Sequence, residues 1–102
     1  MSFKNAEVKK KANIYFGGQV YGIAAASDHY FGKPPANLTV AEAAYLAGLA
    51  KAPNTYRLDE PENLDRAKAR RNWVLDRMAD DGLITVSAAR FASAEPLAPL
   101  KR

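Results

Sequence analysis

The run Thr39-Val40-Ala41-Glu42 constrains this chain more than any other. Its spacing is that of a capping box, in which the Thr hydroxyl accepts from the backbone amide three residues on and the Glu side chain reaches back to the Thr amide. A helix therefore starts at Thr39. Val40, Ala43, Ala44, Tyr45, Leu46, Ala47 and Leu49 leave it no polar face, so it is expected to run to about Leu49 and to be buried nearly all round. A helix of that kind needs other helices to cover it.

The flanking sequence supplies them. Tyr21 to about Tyr30 is Ala-rich and reads as a short helix, with Gly32 just past its end and Lys33 near its negative pole. Pro34-Pro35 forbids continuation. Residues 50–60 read as a connecting loop, and Pro61 suits the first position of the next helix, which ends near Asp81, before Gly82. Leu64, Ala67, Val74, Leu75 and Met78 fall on one stripe of that helix, which is expected to pack on the buried one. Thr85 caps a last short helix to about Ser93, and Pro96 and Pro99 mark an extended tail. Strand signals are nearly missing. The pattern predicts an all-α fold of about four helices around one core, as 102 residues allow.

Several function classes drop out. The chain has no cysteine, which removes a disulfide scaffold, a thiolate metal site and a Cys nucleophile. Met1-Ser2-Phe3-Lys4-Asn5 has no apolar stretch behind a basic head, and no run of about 18 apolar residues follows, so neither a signal peptide nor a membrane span is expected. The formal net charge of +4 favours an anionic partner or, more plainly, a solvated basic surface.

The run from Ile14 through Tyr15, Phe16, Gly17, Gly18, Gln19, Val20, Tyr21 and Gly22 to Ala26, followed by Tyr30-Phe31-Gly32-Lys33, resembles one signature block of the peptidoglycan glycosyltransferase domain of class A penicillin-binding proteins. Leu38 to Leu49, then Ala52-Pro53, resembles that family's next block. Arg66-Ala67, Arg70-Arg71-Asn72, Val74-Leu75, Met78, Gly82 and Ile84-Thr85 also follow its pattern, so the resemblance covers roughly residues 13–99. It implies part of a lysozyme-like helical fold, with residues 1–95 as the C-terminal lobe and 96–102 as the start of a linker. Residues 1–12 are an atypical basic lead-in, since Lys9, Lys10 and Lys11 stand where the family has an apolar helix.

The activity implied is polymerisation of lipid II into glycan strands at the outer face of the bacterial inner membrane, with release of undecaprenyl pyrophosphate. The family's general base is a Glu in an upstream block that this sequence does not contain. No catalytic residue is therefore assigned, and the chain alone is expected to be inactive. The resemblance also implies the rest of the glycosyltransferase domain as partner, and a divalent metal for the parent domain with none in this chain. Self-association would hide apolar surface that the missing lobe normally covers.

Tyr15, Gln19, Tyr21 and Lys33 are the candidate substrate contacts. The two tyrosines flank glycines and either touch a sugar or phosphate or cover the core with their hydroxyls at the surface. Gln19 either bonds substrate or is solvated. Lys33 either binds pyrophosphate or simply favours a helix C-terminus. His29, the only histidine, has no companion for a metal site.

Thr39, Glu42 and Arg71 are assigned structural roles. Arg71 interrupts the apolar stripe, and a buried unpaired charge is costly, so it is expected close to Glu42 or to a backbone carbonyl at a helix end. The competing arrangement leaves Glu42 to the capping box and sends Arg71 to solvent. Arg66, Arg70, Trp73 and Arg77 share another stripe, which suits an anionic surface or nucleic acid, or else is a solvated face with Trp73 covering the arginine stems. The two signature blocks favour the glycosyltransferase reading over a nucleic-acid-binding module.

Overall fold

Residues 22–98 are described in the computed structural model. Among these residues five α-helices follow one another: α1 (Ile23–Phe31), α2 (Val40–Leu49), α3 (Pro53–Tyr56), α4 (Leu64–Asp80) and α5 (Val86–Ser93). Short 3-10 turns at Pro35–Asn37 and Pro61–Asn63 lead into α2 and α4, and there is no strand among the described residues.

Local chemistry sets the helix ends. Gly32 closes α1 in the left-handed region, φ 67°, and its amide donates to the Asp28 carbonyl. An L side chain there would be strained, which is why glycine stands at the stop. At the start of α2, the Glu42 amide donates to Thr39 Oγ1 at 3.1 Å and the Thr39 amide to Glu42 Oε1 at 2.9 Å, closing the capping box. Thr85 caps α5 in the same way, accepting from the Ala88 amide at 3.0 Å.

The core forms two contiguous clusters with α2 in both. Ala26, Tyr30 and Phe31 of α1 meet Tyr45, Leu46 and Leu49 of α2, Ala67 of α4, and Leu58 and Leu97 from the connections. Ala41 and Ala44 of α2 meet Leu75 of α4 and Ala89 and Ala92 of α5. Gly48 permits the close approach of α2 and α4, because a Cβ there would stand 2.8 Å from Arg70 Cγ and 3.3 Å from Val74 Cγ2.

Three expectations are corrected. α2 is not buried all round: Val40, Ala43 and Ala47 form an exposed stripe that no described residue covers. Alanine loses little by exposure, so apolar composition did not reveal which face is inside. The 50–60 connection contains α3, started by Pro53 at its first position, where the missing amide costs nothing. Leu64 is also partly out of the packing stripe, at 39% exposed.

Candidate functional site

The loop that leaves α1 and the first turn of α2 meet at Lys33. Its ammonium lies 2.8 Å from Glu42 Oε1, the same oxygen that accepts the Thr39 amide. Glu42 therefore serves two purposes, capping α2 and fixing the Lys33 side chain. The Lys33 side chain is about a third exposed, so its other donors face solvent. Ser27 Oγ, buried on α1, donates to the Lys33 carbonyl and fixes the backbone at the same point. Tyr15, Gln19 and Tyr21, the other candidate substrate contacts, lie outside the described residues.

Thr39 extends the network. Its hydroxyl accepts from the Glu42 amide and donates to Glu95 Oε2 at 2.9 Å, so the α2 cap is tied to the segment after α5. On the other side of Glu95 stands Arg71, fully buried on α4. Its Nη1 donates to the Glu95 carbonyl at 2.8 Å, Nη2 to the Ser93 carbonyl at 2.9 Å, and Nε to Asn72 Oδ1 at 3.0 Å. Burial pulls the Arg71 pKa below the ordinary arginine value, with the Glu95 charge opposing.

The expected Arg71–Glu42 pairing is corrected by this geometry. Arg71 takes the other partner expected for it, backbone carbonyls at a helix end, and does not reach out to solvent. The physical reason is the local supply of acceptors: the last carbonyls of a helix lack intrahelical amides, and a cation at that pole is favoured. Glu42 is already occupied by Thr39 and Lys33.

A second polar group was not read from the sequence. Asp59 Oδ1 accepts from Arg57 Nε at 2.6 Å and Oδ2 from Arg57 Nη2 at 2.9 Å, and His29 Nε2 lies 3.1 Å from the same Oδ2. The Arg57 fork holds the Asp59 carboxyl down at about 2, burial opposes it, and His29 helps to lower it further. Arg57 is correspondingly raised above its ordinary value, first by that hydrogen bond. Beneath them, Tyr45 is 1% exposed; its hydroxyl donates to the Tyr56 carbonyl at 2.9 Å and accepts the Leu58 amide at 3.0 Å. Burial pushes the Tyr45 phenol far above the ordinary tyrosine range. These bonds anchor α1 and α2 to the 57–59 turn, and the Arg57-x-Asp59 spacing was the only sequence signal for them.

Among the described residues, no group of three or more His, Asp or Glu side chains is placed to hold a metal ion. No helix there is long and apolar enough to cross a membrane. A groove of about 310 Å³ is lined by Leu58, Pro61, Leu64, Leu97 and Ala98, and one of about 410 Å³ lies between α4 and α5; Lys33 lines neither.

Comparison with known proteins places this arrangement. The Transglycosylase family model matches residues 12–79. Penicillin-binding protein 1A of Rickettsia felis is 46% identical over 88 residues, which is 86% of this chain and 11% of that protein. Penicillin-binding protein 1A of Escherichia coli K12 is 51% identical over 72 residues, 71% of this chain and 8% of that protein. The 2.6 Å crystal structure of penicillin-binding protein 1A from Haemophilus influenzae superposes with a TM-score of 0.84 at 36% identity, covering all of this chain and 15% of that one. The chain thus spans about a tenth of the length of the curated relatives it matches. Since the family model takes in α1 to α4 almost entirely, and the shared fold extends through α5, the chain belongs to the Transglycosylase family.

Proposed function

We propose that this chain forms the C-terminal lobe of a peptidoglycan glycosyltransferase domain that polymerises lipid II into glycan strands at the outer face of the bacterial inner membrane. The observation that carries the reading is the family match over residues 12–79 on a chain that shares its whole fold with a penicillin-binding protein 1A. Sugar transfer from a pyrophosphate-linked donor needs a base for the acceptor hydroxyl and cations for the leaving group. Lys33 suits the second role, because Glu42 holds its ammonium in place and leaves donors free for phosphate oxygens. Tyr15, Gln19 and Tyr21 complete this chain's share of the substrate groove.

The base belongs to the rest of the domain, and so does any divalent metal. The exposed Val40, Ala43 and Ala47 stripe on α2 is the face on which that remainder seats. In its absence the same stripe favours self-association.

Two arms test the reading by gel separation of glycan products. The chain alone with lipid II is expected to give no polymer above the enzyme-free control. Residues 13–98 exchanged into the matching segment of Escherichia coli penicillin-binding protein 1A are expected to keep polymerisation, with Lys33→Ala in the exchange lowering it at least tenfold. Polymer from the chain alone would overturn the absence of a base, and an inactive but folded exchange would overturn the lobe assignment.

A further inference from the structure

Arg66, Arg70, Trp73 and Arg77 recur along α4 at spacings of three and four, which puts them on one stripe. From the first to the last it rises roughly 16 Å. Trp73 is 52% exposed on that stripe, far more than so large an apolar side chain usually is. The Arg70 guanidinium lies over its ring at 4.4 Å from the centroid and that of Arg77 at 6.0 Å. Among the described residues none of the three arginines is in an ion pair, the bridges there being His29–Asp59, Lys33–Glu42 and Arg57–Asp59. Within the same set, Arg66 donates to Asn63 Oδ1 alone, and Arg70 Nε is buried with no hydrogen-bond partner.

We propose that this stripe docks on the anionic phospholipid headgroups of a bilayer surface. Guanidinium forks match phosphate oxygens bidentately, and three of them in a row, none in an ion pair with a described residue, offer a line of positive charge. Tryptophan prefers the headgroup level, where its ring is half in apolar surroundings and its N–H stays wet. A nucleic-acid partner is less well served, because Arg70 already covers the indole that a stacked base would use. No described helix crosses a membrane, so the contact is peripheral. The proposal does not depend on the glycosyltransferase reading.

Trp73 is the only tryptophan in the chain, so its fluorescence reports on this stripe alone. The full 102-residue chain is mixed with vesicles of phosphatidylglycerol and phosphatidylcholine in equal parts, and separately with phosphatidylcholine alone. With the anionic vesicles the emission maximum is expected to move to the blue and the protein to sediment; with the neutral ones, neither. About 1 M salt, where screening reaches only about 3 Å, is expected to release it. The double variant Arg66→Gln, Arg77→Gln changes two exposed side chains and is expected to partition about thirtyfold more weakly. No blue shift on anionic vesicles overturns the proposal, as does binding that ignores salt. So does a chain whose emission responds to duplex DNA and not to vesicles. The salt arm uses the unaltered chain and decides the matter even where the variant does not fold.

Discussion

Arg71→Met removes a buried charge that has no carboxylate partner, and the structure sets the size of the effect. The guanidinium donates to the Ser93 and Glu95 carbonyls at 2.9 and 2.8 Å. The neighbouring end carbonyls of α5 are already served, since the Ala94 amide reaches Arg90 and Phe91 and the Glu95 amide reaches Ala92. Ser93 is left to Arg71. Methionine keeps much of the apolar stem, so the loss falls on the fork. Two hydrogen bonds from a charged donor contribute about 3–6 kcal/mol together. Removing the guanidinium also relieves part of its desolvation, which puts the loss at the lower end of that range. The balance is a destabilisation of about 3 kcal/mol, a large part of the ~5–15 kcal/mol that holds a small domain together.

Urea unfolding followed by far-UV circular dichroism measures it. Arg71→Lys is expected to recover little, because a single ammonium does not reproduce the fork. Hydrogen exchange at the Ala94 and Glu95 amides is expected to quicken in both variants, as the end of α5 loosens first. A Met variant within about 1 kcal/mol of the parent would refute the reasoning: water would then satisfy both carbonyls as well as Arg71 does.

Two further substitutions probe the same frame. Thr39→Ala is expected to cost about 1–2 kcal/mol, at the upper part of the capping range because the hydroxyl also donates to Glu95; an unfolding free energy changed by less than about 0.5 kcal/mol would show that it does not cap. Tyr45→Phe leaves the buried Leu58 amide and the part-buried Tyr56 carbonyl without their partner and is expected to cost about 2 kcal/mol. In alkaline titration of the parent, the tyrosinate absorbance should rise in two stages, with Tyr45 ionising only as the protein unfolds; a single stage in the folded protein would contradict its burial.

What the sequence disclosed was governed by range. The stop at Gly32, the Thr39 box and the Thr85 cap each depend on residues within a turn of one another, and they stand where the pattern placed them. The helix α3 escaped notice because four residues show no periodicity, and a proline in a connection reads equally well as a turn. Which side of α2 is inside was also hidden, since Ala43 and Ala44 are chemically alike and only the fold exposes one and buries the other. Arg71 was recognisable as misplaced, but its acceptors are backbone carbonyls more than 20 residues away, which carry no side-chain signature. The Arg57–Asp59–His29 group joins α1 to a turn nearly 30 residues on, and nothing local requires that meeting. Of the candidate substrate contacts, Lys33 alone lies among the described residues, and its pairing with Glu42 became visible only once Pro34-Pro35 had turned the chain.

The arrangement around Glu42 links the fold to the proposed chemistry. Glu42 Oε1 accepts both the Thr39 amide and the Lys33 ammonium, so the group that starts the central helix also orients the candidate phosphate contact. Thr39 passes the connection to Glu95, whose carbonyl is held by Arg71 from α4. Four separate parts of the chain therefore converge on one polar line: the loop after α1, the start of α2, the middle of α4 and the end of α5. Each member is satisfied by the next, which removes the rotational freedom that a lone surface lysine would lose on meeting a phosphate. Preorganisation of this kind is useful only to a site whose other groups are equally fixed. In this chain the acidic members of the line serve as structural partners, Glu42 to a cap and a lysine and Glu95 to a threonine. Under the proposed function, the same line would let this lobe present a fixed cation to a leaving group.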